Sequence, residues 1–89
     1  MKNYLYGFDD KVPMQEVADS LRLAEIAVRG LHGDARARLD VQRVIDEQAR
    51  YCRIDAATDV GEDLATIFTA FLSAQFPDGE FSVTRGSAN

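Results

Sequence analysis

The chain has 89 residues, 46% of them apolar and 28% charged, with a formal net charge of −5. That length fits one domain with a thin core, which self-association would help to stabilise, and the acidic balance argues against a general nucleic-acid binder, which needs a basic surface to displace counterions. The lone Cys52 cannot form an internal disulfide, residues 1–10 hold no apolar run of signal-peptide type, and no stretch approaches the roughly 20 apolar residues that span a bilayer, so a cytoplasmic protein is expected.

Residues 2–8 read as a strand rich in aromatics and stopped by Asp9 and Asp10. Pro13 suits a helix start, and the segment 13–32 carries Val17, Leu21, Ala24, Val28 and Leu31 on one helical stripe, widened by Leu23, Ile26 and Ala27. Gly30, Gly33 and Asp34 mark the helix end and the following turn. Residues 35–42 alternate, with Ala35, Ala37, Leu39 and Val41 on one side and Arg36, Arg38 and Asp40 on the other, which predicts a half-buried strand. Residues 42–48 admit two readings, a continuation of that strand through Val44 or Ile45 or a short helical turn.

Alternation returns over 49–56, placing Cys52, Ile54 and Ala56 inward and Tyr51, Arg53 and Asp55 outward. A helix is predicted over 59–76, with Asp59 as cap, Glu62 completing a capping box and Thr58 as the rival cap. Its inner stripe reads Val60, Leu64, Ile67, Phe71 and Ala74, and Phe68, Leu72 and Phe76 add a second apolar ridge. Residues 77–79 form a turn, and 80–85 close as a strand with Phe81 and Val83 inward.

The order strand, helix, strand, strand, helix, strand predicts an α+β fold of the ferredoxin-like kind: a βαββαβ sandwich with a four-stranded antiparallel sheet and both helices on one face. The expected strand order is fourth, first, third, second, in a single domain over residues 1–85 with a flexible tail at 86–89.

With Leu5 and Gly7 taken as facing the helices, the uncovered sheet face gathers Tyr4, Tyr6 and Phe8 beside Tyr51 and Arg53, flanked by Arg36 and Arg38. Stacking and recognition of planar or anionic groups suit such a set. Three occupants fit: a second copy of the chain, a small molecule or peptide, and single-stranded RNA. Residues 49–56 lack the glycine-and-aromatic run of an RNA-recognition strand, which weighs against the third. A one-residue slip would turn Tyr4, Tyr6 and Phe8 inward and remove the aromatic centre.

The remaining chemistry-bearing residues form no readable constellation. His32 has no positioned partner in the sequence, Cys52 reads as core, and the glycines match no phosphate-binding pattern. The acidic pairs Asp9–Asp10 and Glu62–Asp63 read as a strand stop and a helix start, with no metal or cofactor expected. The expectation is therefore a non-enzymatic interaction or assembly module, homodimeric through its open sheet face or edge. Its alternatives are a small-ligand-binding regulatory domain, a single-stranded RNA binder, or a small dimeric αβ-barrel enzyme using His32 or an open-face tyrosine.

Overall fold

In a computed structural model, which describes residues 2–87, the chain runs through β1 (Lys2–Phe8), α1 (Met14–His32), α2 (Asp34–Asp40), β2 (Arg43–Asp46), β3 (Tyr51–Asp55), α3 (Asp59–Gln75) and β4 (Phe81–Ser87). The strands form one antiparallel sheet in the order β2-β3-β1-β4, so the fold is mixed α+β with three helices. Gly86 and Ser87 extend β4 to pair with Asn3 and Lys2, where a flexible tail was expected from residue 86. Ala88 and Asn89 lie outside the described residues.

The segment predicted as a strand over 35–42 is instead α2, followed by the four-residue β2. Gly33 sits at φ 90°, a conformation open to glycine, and donates its N–H to Arg29 O at 2.8 Å, ending α1 and letting a second helix start at once. Ala, Arg and Leu are strong helix formers and the run up to Asp40 holds no β-branched residue, so local propensity favours a helix. The alternation carried no burial signal: only Ala37 is buried, and Leu39 is 77% exposed. Arg36 and Arg38 consequently project from α2 and not from the sheet.

The parity of β1 is also the reverse of the expected one. Tyr4 pairs with Ile54 and Tyr6 with Cys52, so the three aromatics of β1 share the face that carries the β3 core residues. Tyr6 is 1% exposed, Phe8 is buried, and Tyr4 packs against the core edge. The larger side chains bury more apolar area than Leu5 and Gly7 would. The polar end of Tyr6 is satisfied: its hydroxyl donates to Ala65 O at 3.3 Å and shares a hydrogen bond with Thr69 Oγ1 at 2.8 Å. Its ring meets Phe68 edge-on, with centroids 5.0 Å apart.

The α1 stripe holds through Val17, Leu21, Ala24 and Val28, which are buried, whereas Leu31, Leu23 and Ile26 are exposed on its outer side. In α3 the ridge Phe68 and Leu72, continued by Phe76, is the deep one, and Ile67, Phe71 and Ala74 lie toward the surface. Thr58 wins the cap: its extended backbone (ψ 161°) and Oγ1, which accepts from Gly61 N–H at 3.1 Å, leave Asp59 as the first helical residue. At the opposite end of the sheet Arg50, at φ 57°, directs its guanidinium to the carbonyls of Phe8, Asp9 and Val12 and so ties the start of β3 to the β1–α1 loop.

The close approach of α3 to β3 depends on Gly61, where a Cβ would overlap the Asp55 carbonyl. Gly61→Ala is expected to cost about 2 kcal/mol, roughly 10 °C in Tm. Gly30→Ala, on a part of α1 where a Cβ meets nothing within 4 Å, should instead stabilise by about 0.5–1 kcal/mol. Thermal unfolding followed by circular dichroism checks both, and an unchanged Tm for Gly61→Ala would contradict the packing described.

Candidate functional site: the free edge of β4

The sheet face away from the helices carries Leu5, Gly7, Tyr51, Arg53 and Val44, with Ser82 and Thr84 at its β4 side. Of the residues expected to meet there, Tyr51 and Arg53 do. Tyr4, Tyr6 and Phe8 lie on the opposite face, and Arg36 and Arg38 lie on α2, where Arg36 pairs with Asp59 at 2.7 Å and Asp40 at 3.8 Å. The face is a mixed polar surface without an aromatic centre. Desolvation alone would raise the Asp59 carboxyl, but the Arg36 charge and hydrogen bond, aided by the Val60 N–H, together outweigh it and hold the carboxyl below its usual range.

The more distinctive feature is the edge of the sheet. The ladder bonds reveal which backbone groups it exposes. Phe8 N–H donates to Arg50 O (3.0 Å) and Ala56 N–H to Lys2 O (2.9 Å), so the even residues of β1 bond to β3. Asp9 N–H donates to Glu80 O (2.9 Å), so the odd residues of β1 bond to β4. Given the register Gly7↔Ser82, Leu5↔Thr84 and Asn3↔Gly86, the even residues of β4 spend their backbone groups on β1. The N–H and C=O groups of Phe81, Val83 and Arg85 point outward, away from every described strand.

Beside this edge, on the helix side of the sheet, lies a recess of about 300 Å³ lined by Tyr4, Ala65, Thr66, Thr69 and Val83. The small side chains along this flank of α3 keep the space next to β4 open. One charged cluster borders it. Glu62 meets Lys2 Nζ at 2.8 Å, the Tyr4 hydroxyl at 3.1 Å and Arg85 at 3.9 Å, and the Arg85 guanidinium stands 5.8 Å from the Tyr4 ring centroid. The Lys2 hydrogen bond, opposed by desolvation but helped by the Tyr4 hydrogen bond and the two positive charges, holds the Glu62 carboxyl below its usual range. In the sequence Glu62 reads only as part of a helix cap and Val83 only as an inward strand residue, and neither Lys2 nor Arg85 stands out in a motif. The readable signal was that Arg85 is the only charge in residues 81–87.

The other chemistry-bearing side chains are tied into the fold. His32 Nε2 stands 2.7 Å from Asp63 Oδ2, a partner 31 positions away that joins the last turn of α1 to the first turns of α3. Among the described residues no hydroxyl or thiol bonds to that imidazole. Cys52 is fully buried and burial pushes its thiol up to about 12, unsuited to nucleophilic work. Burial likewise pushes the Tyr6 hydroxyl up to about 12, which keeps it a neutral hydrogen-bonding group. Among the described residues no group of three His, Cys, Asp or Glu side chains could hold a metal ion, and no helix is long and apolar enough to cross a membrane.

The depressed Glu62 carboxyl makes a signed expectation. A carboxyl whose folded value lies below its unfolded one stabilises the fold above the unfolded value and loses that contribution as the pH falls through the folded value. Glu62→Gln is therefore expected to lower Tm at pH 7 by an amount that shrinks as the pH falls below the ordinary carboxylate range, flattening the acid limb relative to the parent chain. Parallel limbs for the two proteins would show that Glu62 is not held by Lys2 and Arg85.

Comparison with known proteins adds no constraint: no family model, no curated protein and no solved structure matches the chain.

Proposed function

We propose that this chain is a ferredoxin-like assembly module that works by self-association, two copies joining β4 to β4 into one continuous sheet. The order β2-β3-β1-β4 and the packing of Tyr6 and Phe68 on one face support the architecture. The observation that carries the function is the unprotected edge. A seven-residue strand without proline or bulge offers the outward groups of Phe81, Val83 and Arg85. Sheet edges of monomeric proteins are ordinarily short, covered, kinked or guarded by charge. β2, at the other edge, is four residues long, with Arg43 among its two outward-facing positions.

A second copy fits the edge in a particular register. Antiparallel pairing centred on Val83 sets Val83 opposite its own counterpart and Arg85 opposite Phe81, so that the lone cation of each strand meets an aromatic ring and not another cation. Pairing centred on Arg85 would oppose two like charges, which is unfavourable. In the favoured register Ser82 faces Thr84 across the open face, a hydroxyl pair of the kind that stabilises strands. The helix-side residues of the added strand then enter the recess lined by Ala65, Thr66 and Thr69. Such an interface also supplies what an 89-residue chain lacks alone, additional buried surface for a thin core.

Light scattering coupled to size exclusion tests this with two proline variants. Val83→Pro removes an outward N–H and leaves the β1 ladder intact, so it is expected to fold and to weaken dimerisation at least tenfold through lost intersubunit hydrogen bonds. Thr84→Pro removes a bond to β1 and is expected to lower Tm instead. A parent chain that stays monomeric at millimolar concentration, or a Val83→Pro variant as dimeric as the parent, would overturn the proposal.

A further inference from the structure

At the opposite edge of the sheet from β4, where α1, α2 and β2 meet, a cavity of about 310 Å³ is lined by Glu25, Arg29, Ala37, Arg38, Val41 and Arg43. Three arginines and one glutamate thus line a single space, in a chain whose net charge is −5. Like charges brought together repel, and the acidic remainder of the molecule offers many places where an arginine could pair instead.

The three arginines are held differently. Arg43 Nε donates to Glu25 Oε1 at 2.9 Å, and that pair is half-buried, which fixes the plane of the guanidinium. Its terminal nitrogens make no hydrogen bond among the described residues, leaving an oriented fork. Arg29 and Arg38 form no ion pair among the described residues. Arg29 lies in the last turn of α1, where a cation also meets the negative end of the helix dipole. That accounts for one arginine and not for three. Arg38 arrives from α2 because Gly33 lets that helix begin immediately after α1. Ala37 is buried at the cavity wall and Val41 adds an apolar patch, so the space has a charged rim and a small apolar wall.

We infer that this cavity is a binding site for a small organic phosphate. Arginine forks match the paired oxygens of a phosphoryl group and bind it through charge-assisted, bidentate hydrogen bonds. The volume sits at the lower end of small-molecule sites, the size of a phosphoryl group with a short organic portion rather than of a dinucleotide. Glu25 anchors Arg43 and does not itself oppose the ligand with a free charge. The site is built from α1, α2 and β2 and does not depend on pairing at β4.

The test is an NMR titration of the isotopically labelled full chain with inorganic pyrophosphate, which carries the recognised group without the organic portion. Saturable shifts are expected at Arg29, Ala37, Arg38 and Arg43, absent with sodium chloride at matched ionic strength. The Arg29→Gln/Arg38→Gln double variant should weaken binding at least tenfold, in line with the loss of charge-assisted hydrogen bonds. Arg22→Gln/Arg53→Gln, which removes the same charge elsewhere, should leave the affinity within twofold. Both variants change exposed residues, and an unaltered amide spectrum confirms that each is folded. Shifts that the chloride control reproduces, shifts spread over all basic residues, or equal weakening in the two double variants would each overturn the inference.

Discussion

The hydrogen bonds of the Tyr6 hydroxyl to α3 set the handedness of everything else in the sheet. A tyrosine can be sealed in an apolar layer only if its O–H finds partners, and Ala65 O and Thr69 Oγ1 supply them. Once Tyr6 faces α3, strand alternation turns Tyr4 and Phe8 the same way. Pairing then sends Cys52 and Ile54 inward and Tyr51 and Arg53 outward. The same parity decides that Val83 and Arg85 stand on the helix side of β4, where Arg85 reaches Tyr4 and Glu62. A single satisfied hydroxyl thereby fixes which side chains any partner strand at the edge would meet.

The elements legible in the sequence were those with strong punctuation and long-period burial. Pro13 and Gly33 bracketed α1, α3 opened one residue earlier than the expected Asp59 cap, at Thr58, and Cys52 and Ile54 alternated inward as expected. Residues 35–41 misled because alanine and arginine alternate there without a large apolar residue on the supposed inner side until Leu39, which is exposed. Two periods fit so short a segment, and the backbone followed helix propensity. In β1 the pattern itself was right and only its phase was wrong, since a strand with apolar residues at consecutive positions, Tyr4 to Tyr6, does not state which parity is buried. Tertiary partners on α3, about 60 residues away, made that choice.

The candidate sites were less legible than the fold, for a physical reason. Both depend on which groups remain unpaired after folding. Arg36 and Arg53 looked alike as sequence, yet one is neutralised by Asp59 and the other stands on an open face. The edge of β4 exposes backbone, which no residue type announces; only register reveals that Phe81, Val83 and Arg85 direct their amides outward. The arginine cavity required α2, the one element the sequence misassigned. Read as a strand over 35–42, with 42–48 either continuing it or forming a short helical turn, the segment gave no reason to bring Arg38 and Arg43 together with Arg29.

The two edges of the sheet are thus managed in opposite ways. β2 is short, is flanked by α2 and carries Arg43, whose guanidinium is anchored to α1 through Glu25; each of these features discourages strand addition. β4 is seven residues long, and the neighbouring flank of α3 is trimmed to alanine and threonine, which leaves room for a strand. α3 runs beside β4, and larger side chains on its near flank would cover the edge. The small residues at 65, 66 and 69 leave that cover out. The same small residues place Thr69 close enough to Tyr6 to satisfy its hydroxyl, so the open recess and the buried phase of β1 arise from one short stretch of α3. Enlarging Thr69 to an apolar side chain to protect the edge would remove one of the two partners that satisfy Tyr6, which ties the exposure of β4 to the stability of the core.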